Sequence, residues 1–495
     1  MQKKNGRFII NFCVLKNLFS PNFFRMTSIE QTLLRLAKEI NPTFFRIEKL
    51  PQSGSSRQYF RIFAEKETII GVYNNDVKEN KAFISFTNFF ISQNINVPKL
   101  LKIHQTQQYY ILEDLGDETL FSFLTLNRVQ EKLAPTVISY YKKVLKQLPL
   151  LQLSAKNGID FSVSSPRLAF DTQSMLWDLN YFKYYFLKLV NIPFDEQLLE
   201  DDFQCFINFL GEADHDYFMF RDFQSRNIML HNGEPYFIDY QGGRKGALQY
   251  DVASLLYDGK ADLPPALREE LLHYYLEELF IHINIRKEDF CKYYYGYVLI
   301  RILQALGTYG FRGYYEKKSH FLLSIPFAIK NLKELLPKLE FASTIPTLID
   351  LIQKIIDSEF VKSCTLPDNM LTVTITSFSY KKGVPQDLTA NGGGFVFDCR
   401  ALPNPGRLPE YKDATGKDTC VIDYLENFEE VKTFKELTTQ LVSQSIDNYL
   451  DRNFLHLMIN FGCTGGQHRS VYFAKKMEEY LQKKYPNVNI ILHHQ

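Results

Sequence analysis

No C-x-x-C pair occurs in this chain, although it holds seven cysteines. Cys13, Cys205, Cys291, Cys364, Cys399, Cys420 and Cys463 are odd in number and scattered, which argues against a disulfide framework or a zinc site. Reduced thiols and a cytoplasmic setting follow as the expectation. Charge of one sign is also lacking. Lys and Arg number 57 against 56 Asp and Glu, so the chain as a whole offers no electrostatic pull toward nucleic acid or an anionic membrane. The apolar run from Phe8 to Leu15 is short for a membrane span, Asn11 interrupts it, and no small-residue cleavage site follows. No G-x-x-x-x-G-K-[ST] loop is present to make a Walker-type nucleotide site. What the chain does have is length and apolar content. Its 495 residues, 45% hydrophobic, suffice for two or three domains with well-buried cores.

The most informative stretch is FRDFQSRNIMLHNGEPYFIDY, from Phe220 to Tyr240. Asp222 and Asn227 stand at D-x-x-x-x-N spacing, and Asp239 follows after two short apolar runs joined by Asn232-Gly233, the pair best suited to a tight hairpin turn. The hairpin returns Asp239 toward Asn227. A carboxylate beside an attacking hydroxyl, with an amide oxygen and a second carboxylate to hold Mg2+ over nucleotide phosphates, is the donor set of phosphoryl transfer. Asp222 is the candidate catalytic residue; Asn227 and Asp239 are the candidate metal ligands. Three such residues around a hairpin also occur in ordinary surface loops, so the surrounding pattern matters. Asp251, in Tyr250 to Leu256, falls where a buried aspartate would brace the loop that carries Asp222.

Upstream, residues 47 to 73 read as strands around the turn Ser53-Gly54-Ser55-Ser56-Arg57, whose backbone amides can lie over phosphates. The strand Thr68 to Tyr73 contains no lysine to neutralise phosphate charge; Lys66, Lys78 and Lys81 only flank it, and Arg57 or Arg61 stands as the substitute. Thr27 or Ser28 caps a helix with Ile29, Leu33, Leu36 and Ile40 on one face. Domain structure is expected to begin near Met26, behind a basic, disordered extension over residues 1–28. His215 and His231 have no visible partners and read as structural or solvated.

Taken together these features resemble the aminoglycoside phosphotransferase and choline kinase superfamily, and within it the sugar kinases that phosphorylate N-acetylmuramate and N-acetylglucosamine at the anomeric hydroxyl. The likeness runs from about residue 29 to about 340 and includes the Gln304 to Phe311 segment. It departs at Phe220, where the family usually has histidine. The resemblance implies a two-lobed, α+β, protein-kinase-like domain over residues 29–341, ATP and Mg2+ as cofactors, and adenine bound by hinge backbone near Glu113 and Leu115.

Residues 342–369, with Pro346, Pro367 and an amphipathic helix between them, read as a linker. From residue 370 to 495 a smaller α/β domain is expected, with strands at Leu371 to Phe378, Phe395 to Asp398 and Leu455 to Phe461, and helices at Val421 to Phe434 and Leu437 to Leu450. The last of these strands delivers Cys463, Thr464, Gly465, Gly466, Gln467, His468, Arg469 and Ser470 to the start of a helix near Val471, a strand-loop-helix anion-binding motif with Arg469 as a two-pronged ligand. The same residues match the C-x5-R-[ST] spacing of cysteine-dependent phosphatases, although no general-acid aspartate can be placed. The wider run, FVFDCRALPNPGR through INFGCTGGQHRSVYFAKKMEEYL, resembles the C-terminal domain of the RNase adapter family RapZ. That likeness implies binding of an amino-sugar phosphate and of RNA. Residues 370 to 495 balance 14 Lys and Arg with 14 Asp and Glu, so small-phosphate binding carries over more readily than RNA.

The reading is therefore an ATP- and Mg2+-dependent kinase of a small sugar, joined to a domain that senses a sugar phosphate. A non-catalytic, RNase-adapter-like regulator that binds nucleotide and RNA or protein is the alternative. Self-association is left open.

Overall fold

The computed structural model describes residues 26–51, 57–129, 132–316, 318–358, 360–361, 371–385, 393–452 and 454–494. The Phe8 to Leu15 run and Ser53, Gly54, Ser55 and Ser56 lie outside these residues. Two compact units form: residues up to 169 with 216–251 and 277–282, and residues 170–215, 252–276 and 283 onward.

The first unit opens with α1 (Ser28–Lys38). Thr27 and Glu30 cap it reciprocally, the Glu30 N–H donating to Thr27 Oγ1 and the Thr27 N–H to Glu30 Oε2. Its apolar face, Leu33, Leu36 and Ala37, is buried with Phe60, Ile62, Ile69 and Ile111 of an antiparallel sheet. The sheet comprises β1 (Arg46–Lys49), β2 (Gln58–Phe63), β3 (Thr68–Tyr73), β4 (Leu100–Ile103) and β5 (Tyr109–Glu113), in the order β1-β2-β3-β5-β4. Between β3 and β4 runs α2 (Val77–Ser92), which starts where Asp76 accepts the N–H groups of Lys78 and Glu79. The unit also holds α3 (Pro135–Leu153), a short pairing of β6 (Tyr217–Met219) with β9 (Arg244–Gly246), and the hairpin of β7 (Ile228–His231) and β8 (Glu234–Phe237). The β6–β9 pair is too short and too fully buried to show a period-two signal in sequence.

In the second unit, α4 (Thr172–Phe182), α5 (Glu196–Gly211), α6 (Lys287–Gly310) and α7 (Pro346–Asp357) are packed helices. The stretch read as a linker thus contains α7. Its Leu348, Leu351, Ile352, Ile355 and Ile356 are buried, and its Leu348 N–H donates to Asp202 of α5 at 2.7 Å. An amphipathic helix with so wide an apolar face packs rather than spans.

The C-terminal part of this unit is a parallel sheet of β10 (Thr372–Ser379), β11 (Gly394–Asp398), β12 (His456–Cys463) and β13 (Asn489–His494), in the order β11-β12-β10-β13. Three helices accompany it: α8 (Thr419–Glu426), α9 (Glu429–Asp451) and α10 (Arg469–Lys484). The helix expected through Phe434 instead stops at Asn427. Phe428 is extended, and Glu429 and Glu430 open α9 where acidic side chains favour a helix N-terminus. Ser379 and Cys463 are register partners, so the loops after β10 and β12 leave the sheet side by side. Among the described residues no helix is long and apolar enough to cross a membrane.

If α7 is part of the fold, Leu351→Ala should cost about 2–5 kcal/mol, as for other buried leucines. Denaturant unfolding measures it, and an unchanged midpoint would reduce α7 to a tether.

Candidate functional site

The loop carrying Asp222 is held by one carboxylate. Asp251 is fully buried in the helix Leu248–Leu256, and its oxygens accept the N–H groups of Phe220 at 2.7 Å and Arg221 at 3.0 Å. Arg221 has φ of 83°, a left-handed conformation costly for a long side chain, and its Nη1 donates to the Tyr250 hydroxyl at 2.8 Å. Burial pushes the Asp251 carboxyl up to about 7 against the pull of its two backbone donors. Asp251 is therefore the brace anticipated from sequence.

Beyond the braced turn, Asp222 is exposed and Asn227 half-buried. Asn227 Nδ2 donates to the Asp222 carbonyl at 2.9 Å and lies 3.4 Å from Asp239 Oδ2, so the amide joins both aspartates and leaves Oδ1 as an acceptor. The hairpin makes this convergence. Asn232 and Gly233 both adopt positive φ, 52° and 78°, as its tight turn demands, and the Ile238 N–H donates to the Asn227 carbonyl at 3.1 Å. Asp239 follows in a left-handed conformation, and Gln241 Nε2 donates to its Oδ1 at 2.7 Å. The Asp239 side chain keeps 41% of its surface open, yet protein crowds its other faces. Burial pushes its carboxyl up, Gln241 and Arg57 pull it down, and the charges of Asp222 and Glu79 push it further up.

Phe220, in place of the usual histidine, is buried in an aromatic stack. It meets Phe223 edge-on with ring centroids 5.2 Å apart and Tyr240 at 6.0 Å; Tyr240 lies parallel to Phe83 of α2 at 5.1 Å, and Phe83 stacks on Tyr110 of β5 at 5.3 Å. Thr87 and Tyr240 share a hydroxyl hydrogen bond of 2.7 Å. Sequence reading missed this stack, although Phe83, Thr87 and Phe90 at i, i+4 and i+7 mark one face of α2.

The other expected nucleotide residues divide. Arg57 is 2% exposed, with Nη2 3.3 Å from Glu79 Oε1 and Nη1 4.0 Å from Asp239 Oδ1. Arg61 is taken elsewhere, since it forks onto Asp114 at 2.7 Å and Asp117 at 2.8 Å and so ties β2 to the segment after β5. Glu113 donates its N–H to the Lys99 carbonyl, and the Leu115 carbonyl bonds His231 Nδ1 at 3.1 Å. His231 is thus structural, as is His215, which bonds the Tyr297 hydroxyl at 2.9 Å.

In the C-terminal loop, backbone and side chains behave differently from expectation. Arg469 Nη1 donates to the carbonyls of Arg400 at 2.9 Å and Leu402 at 2.8 Å, while its Nε is buried with no hydrogen-bond partner among the described residues. Gln467 donates to the Lys412 and Ala414 carbonyls, and His468 bonds the Tyr411 carbonyl at 2.8 Å. These three side chains fasten neighbouring loops because those loops carry carbonyls with no strand partner. Thr464 and Gly465 form the exposed apex. The Gly466 N–H donates to Cys463 Sγ at 3.2 Å, and Ser470 Oγ lies 3.1 Å from the same sulfur. Burial opposes a thiolate, but Ser470, Gly466 and Arg469 outweigh it and draw the Cys463 thiol below its ordinary value. The phosphatase spacing is therefore met in sequence, and one nitrogen of its arginine, Nη1, is engaged with carbonyls.

A five-stranded antiparallel sheet with a following helix, a braced aspartate loop and a hairpin that returns a second aspartate define a kinase-like fold; a parallel α/β domain follows it. In agreement, residues 46–287 match the family model described as Phosphotransferase enzyme family, APH, and residues 371–495 match that of the RapZ C-terminal domain. The chain thus carries an aminoglycoside phosphotransferase-type domain followed by a RapZ C-terminal domain. Similar solved structures include choline kinase LicA from Streptococcus pneumoniae, 13% identical, covering 59% of this chain and 92% of that one with a TM-score of 0.40. Choline kinase from Cryptosporidium parvum Iowa II is 14% identical, covering 65% and 97% with a TM-score of 0.43. A protein of Acidobacterium capsulatum described as a nucleotide-binding protein is 41% identical over 114 residues, 23% of this chain and 36% of that protein. One of Clostridium beijerinckii, with the same description, is 39% identical over 126 residues, 26% of this chain and 41% of that protein. The chain spans about two fifths of the length of these curated relatives.

Replacing Asp251 by leucine would leave two buried N–H groups unpaired beside a strained turn. Asp251→Leu should therefore destabilise the protein by roughly 2–6 kcal/mol, at about 1–3 for each group. A thermal melt equal to wild type would remove Asp251 as the brace.

Proposed function

We propose that the first domain is an ATP- and Mg2+-dependent kinase of a small sugar hydroxyl, with an amino sugar or sugar-like metabolite as substrate, working in the cytoplasm. The observation that carries this reading is the convergence of Asp222, Asn227 and Asp239 through one amide group. Asp222, exposed on its braced loop, takes the proton of the acceptor hydroxyl as that oxygen bonds to the γ-phosphorus. The bond from phosphorus to the β–γ bridging oxygen breaks, and ADP leaves. Magnesium, when bound, supplies charge neutralisation across the phosphates. The donor set fits it: Asn227 Oδ1 and the Asp239 carboxylate are two oxygen ligands, about the number this ion takes from protein when phosphates and water complete its shell. Among the described residues no group of three or more His, Cys, Asp or Glu forms a metal cage. At the hinge, a base would use the Glu113 carbonyl and the Leu115 N–H, the groups not engaged by Lys99 and His231.

For the C-terminal domain we infer binding of an amino-sugar phosphate at the apex of the Cys463 to Ser470 loop, through Thr464 and the amides around Gly465. The sites of many parallel α/β sheets lie at the carboxyl ends of the strands, as this loop does. RNA remains the competing partner, and the balanced charge of the domain favours the small phosphate.

With Mg2+ and a panel of hexoses, amino sugars, N-acetylmuramate and choline-like alcohols, ADP release should appear on one acceptor. Asp222→Asn should lower that turnover by roughly two to four orders of magnitude while nucleotide binding persists. Nucleotide binding without turnover on any acceptor would favour the adapter reading.

Gly466 has φ of 75°, and a Cβ there would come within 3.1 Å of Ser379 N. Gly466→Val should therefore abolish binding of an amino-sugar phosphate by calorimetry and leave ADP release unchanged. Undiminished binding would move the site away from this loop.

A further inference from the structure

A phosphoryl-transfer site needs a cation against the nucleotide phosphates, and in protein kinases a strand lysine paired with a helix glutamate provides it. Strand β3 has no lysine, and Lys66, Lys78 and Lys81 around it are exposed. Arg61 is spent on Asp114 and Asp117. Arg57 differs from all of these. It enters the sheet at the start of β2, one residue before Gln58, which is the register partner of Tyr73 at the end of β3. Its guanidinium lies between Glu79 and Asp239 and 5.8 Å from the centre of the Phe83 ring. Among the described residues, Nε and Nη2 are buried and make no hydrogen bond, Nη2 meeting Glu79 Oε1 only as an ion pair at 3.3 Å. A buried guanidinium with two such donors, beside a candidate metal ligand, is an unusual arrangement unless something else accepts from them.

Glu79 is itself held. Asn74, buried at the end of β3, donates Nδ2 to Glu79 Oε2 at 2.6 Å. Asn80 Nδ2 donates to the carbonyls of Asn74 at 2.9 Å and Gln107 at 2.8 Å, and Asp76 caps the helix one turn away. Strand end, helix start and glutamate are locked as one piece, so the Glu79 carboxylate is a fixed seat for a cation.

We propose that Arg57, seated on Glu79, is the phosphate-binding cation of the nucleotide site, replacing the strand lysine from a different strand. Glu79 and Asn74 are positioning residues that act through it. The inference rests on the kinase reading above and deepens it. A forked guanidinium offers paired donors to a phosphate oxygen pair, where a lysine offers a point charge. Ligand discrimination is the consequence: ATP and ADP should depend on Arg57, whereas adenosine, which has no phosphate, should not.

Calorimetric titration of the full chain with ATP and with adenosine, in the presence of Mg2+, tests this. Wild type should bind ATP. Arg57→Gln, which keeps a polar amide donor but removes the charge and the forked donors, should weaken ATP by at least about tenfold, the size of a lost charged hydrogen bond, with adenosine unchanged. Arg57→Lys should recover part of the loss, and Glu79→Gln should show the same selectivity at smaller size. Undiminished ATP affinity in Arg57→Gln, or equal losses of ATP and adenosine, would overturn the assignment while leaving the kinase reading in place. Should Arg57→Gln not fold, the ATP-to-adenosine ratio in Glu79→Gln decides, and an unchanged ratio overturns the proposal. A wild-type chain that binds adenosine but not ATP would overturn both readings.

Discussion

The hydrogen bonds from Phe220 and Arg221 to the buried Asp251 carboxylate are the constraint on which the candidate site depends. Arg221 sits in a conformation that an unsupported chain would leave, and two backbone donors on a fixed acceptor hold it there. Because that turn is fixed, Asp222 leaves it in one direction, and the Asn227 amide can reach both the Asp222 carbonyl and Asp239. The hairpin closes the same circuit from the other side through the Ile238 N–H. The local strain is thus tied to a helix in the core, so the exposed aspartate can be rigid without being buried.

The charges assembled around this frame explain what the site would accept. Asp222, Asp239 and Glu79 are acidic, and Arg57 is the cation set among them. Mutual repulsion and burial raise the Asp239 carboxyl, a cost that a divalent cation would relieve. The aromatic stack from Tyr110 through Phe83 and Tyr240 to Phe220 keeps these groups in register across β5, α2 and the Asp222 loop. Phe220 suits that stack because a ring without polar atoms needs no partner there. Where the family resemblance implies histidine, Phe220 packs into this stack, and the loop is braced by Asp251.

Much of this was legible in sequence because it is local. The D-x-x-x-x-N spacing, Asn232-Gly233 and the Asp251 position act within a few dozen residues, and turn chemistry plus strand alternation predict their meeting. The capped α1 and the β12-loop-α10 unit were legible for the same reason. What escaped depends on distant pairings. Glu79 gains significance only when Arg57 lies beside it, and nothing in the α2 sequence marks it apart from other exposed glutamates. The β6–β9 pair escaped because it is short and buried, and β13 because its partner lies far away in the chain. Strand β13 pairs with β10, which lies more than a hundred residues earlier.

The C-terminal loop shows the opposite failure, where a motif was legible but its geometry was not. The C-x5-R-S spacing identifies a strand, a turn and a helix start, and these are present. Spacing says nothing about which acceptors an arginine will meet. The loops at Arg400 to Leu402 and Tyr411 to Ala414 bring carbonyls outside any strand ladder within reach of these side chains. Arg469, Gln467 and His468 satisfy them and in doing so hold the loops against the cradle. Side chains of the loop are thereby tied to its neighbours, and Thr464 and Gly465 are left exposed at its apex. Were the proposed phosphate site this apex, its backbone amides would suit a compact anion better than an extended polyanion, in keeping with a domain whose basic and acidic residues are equal in number.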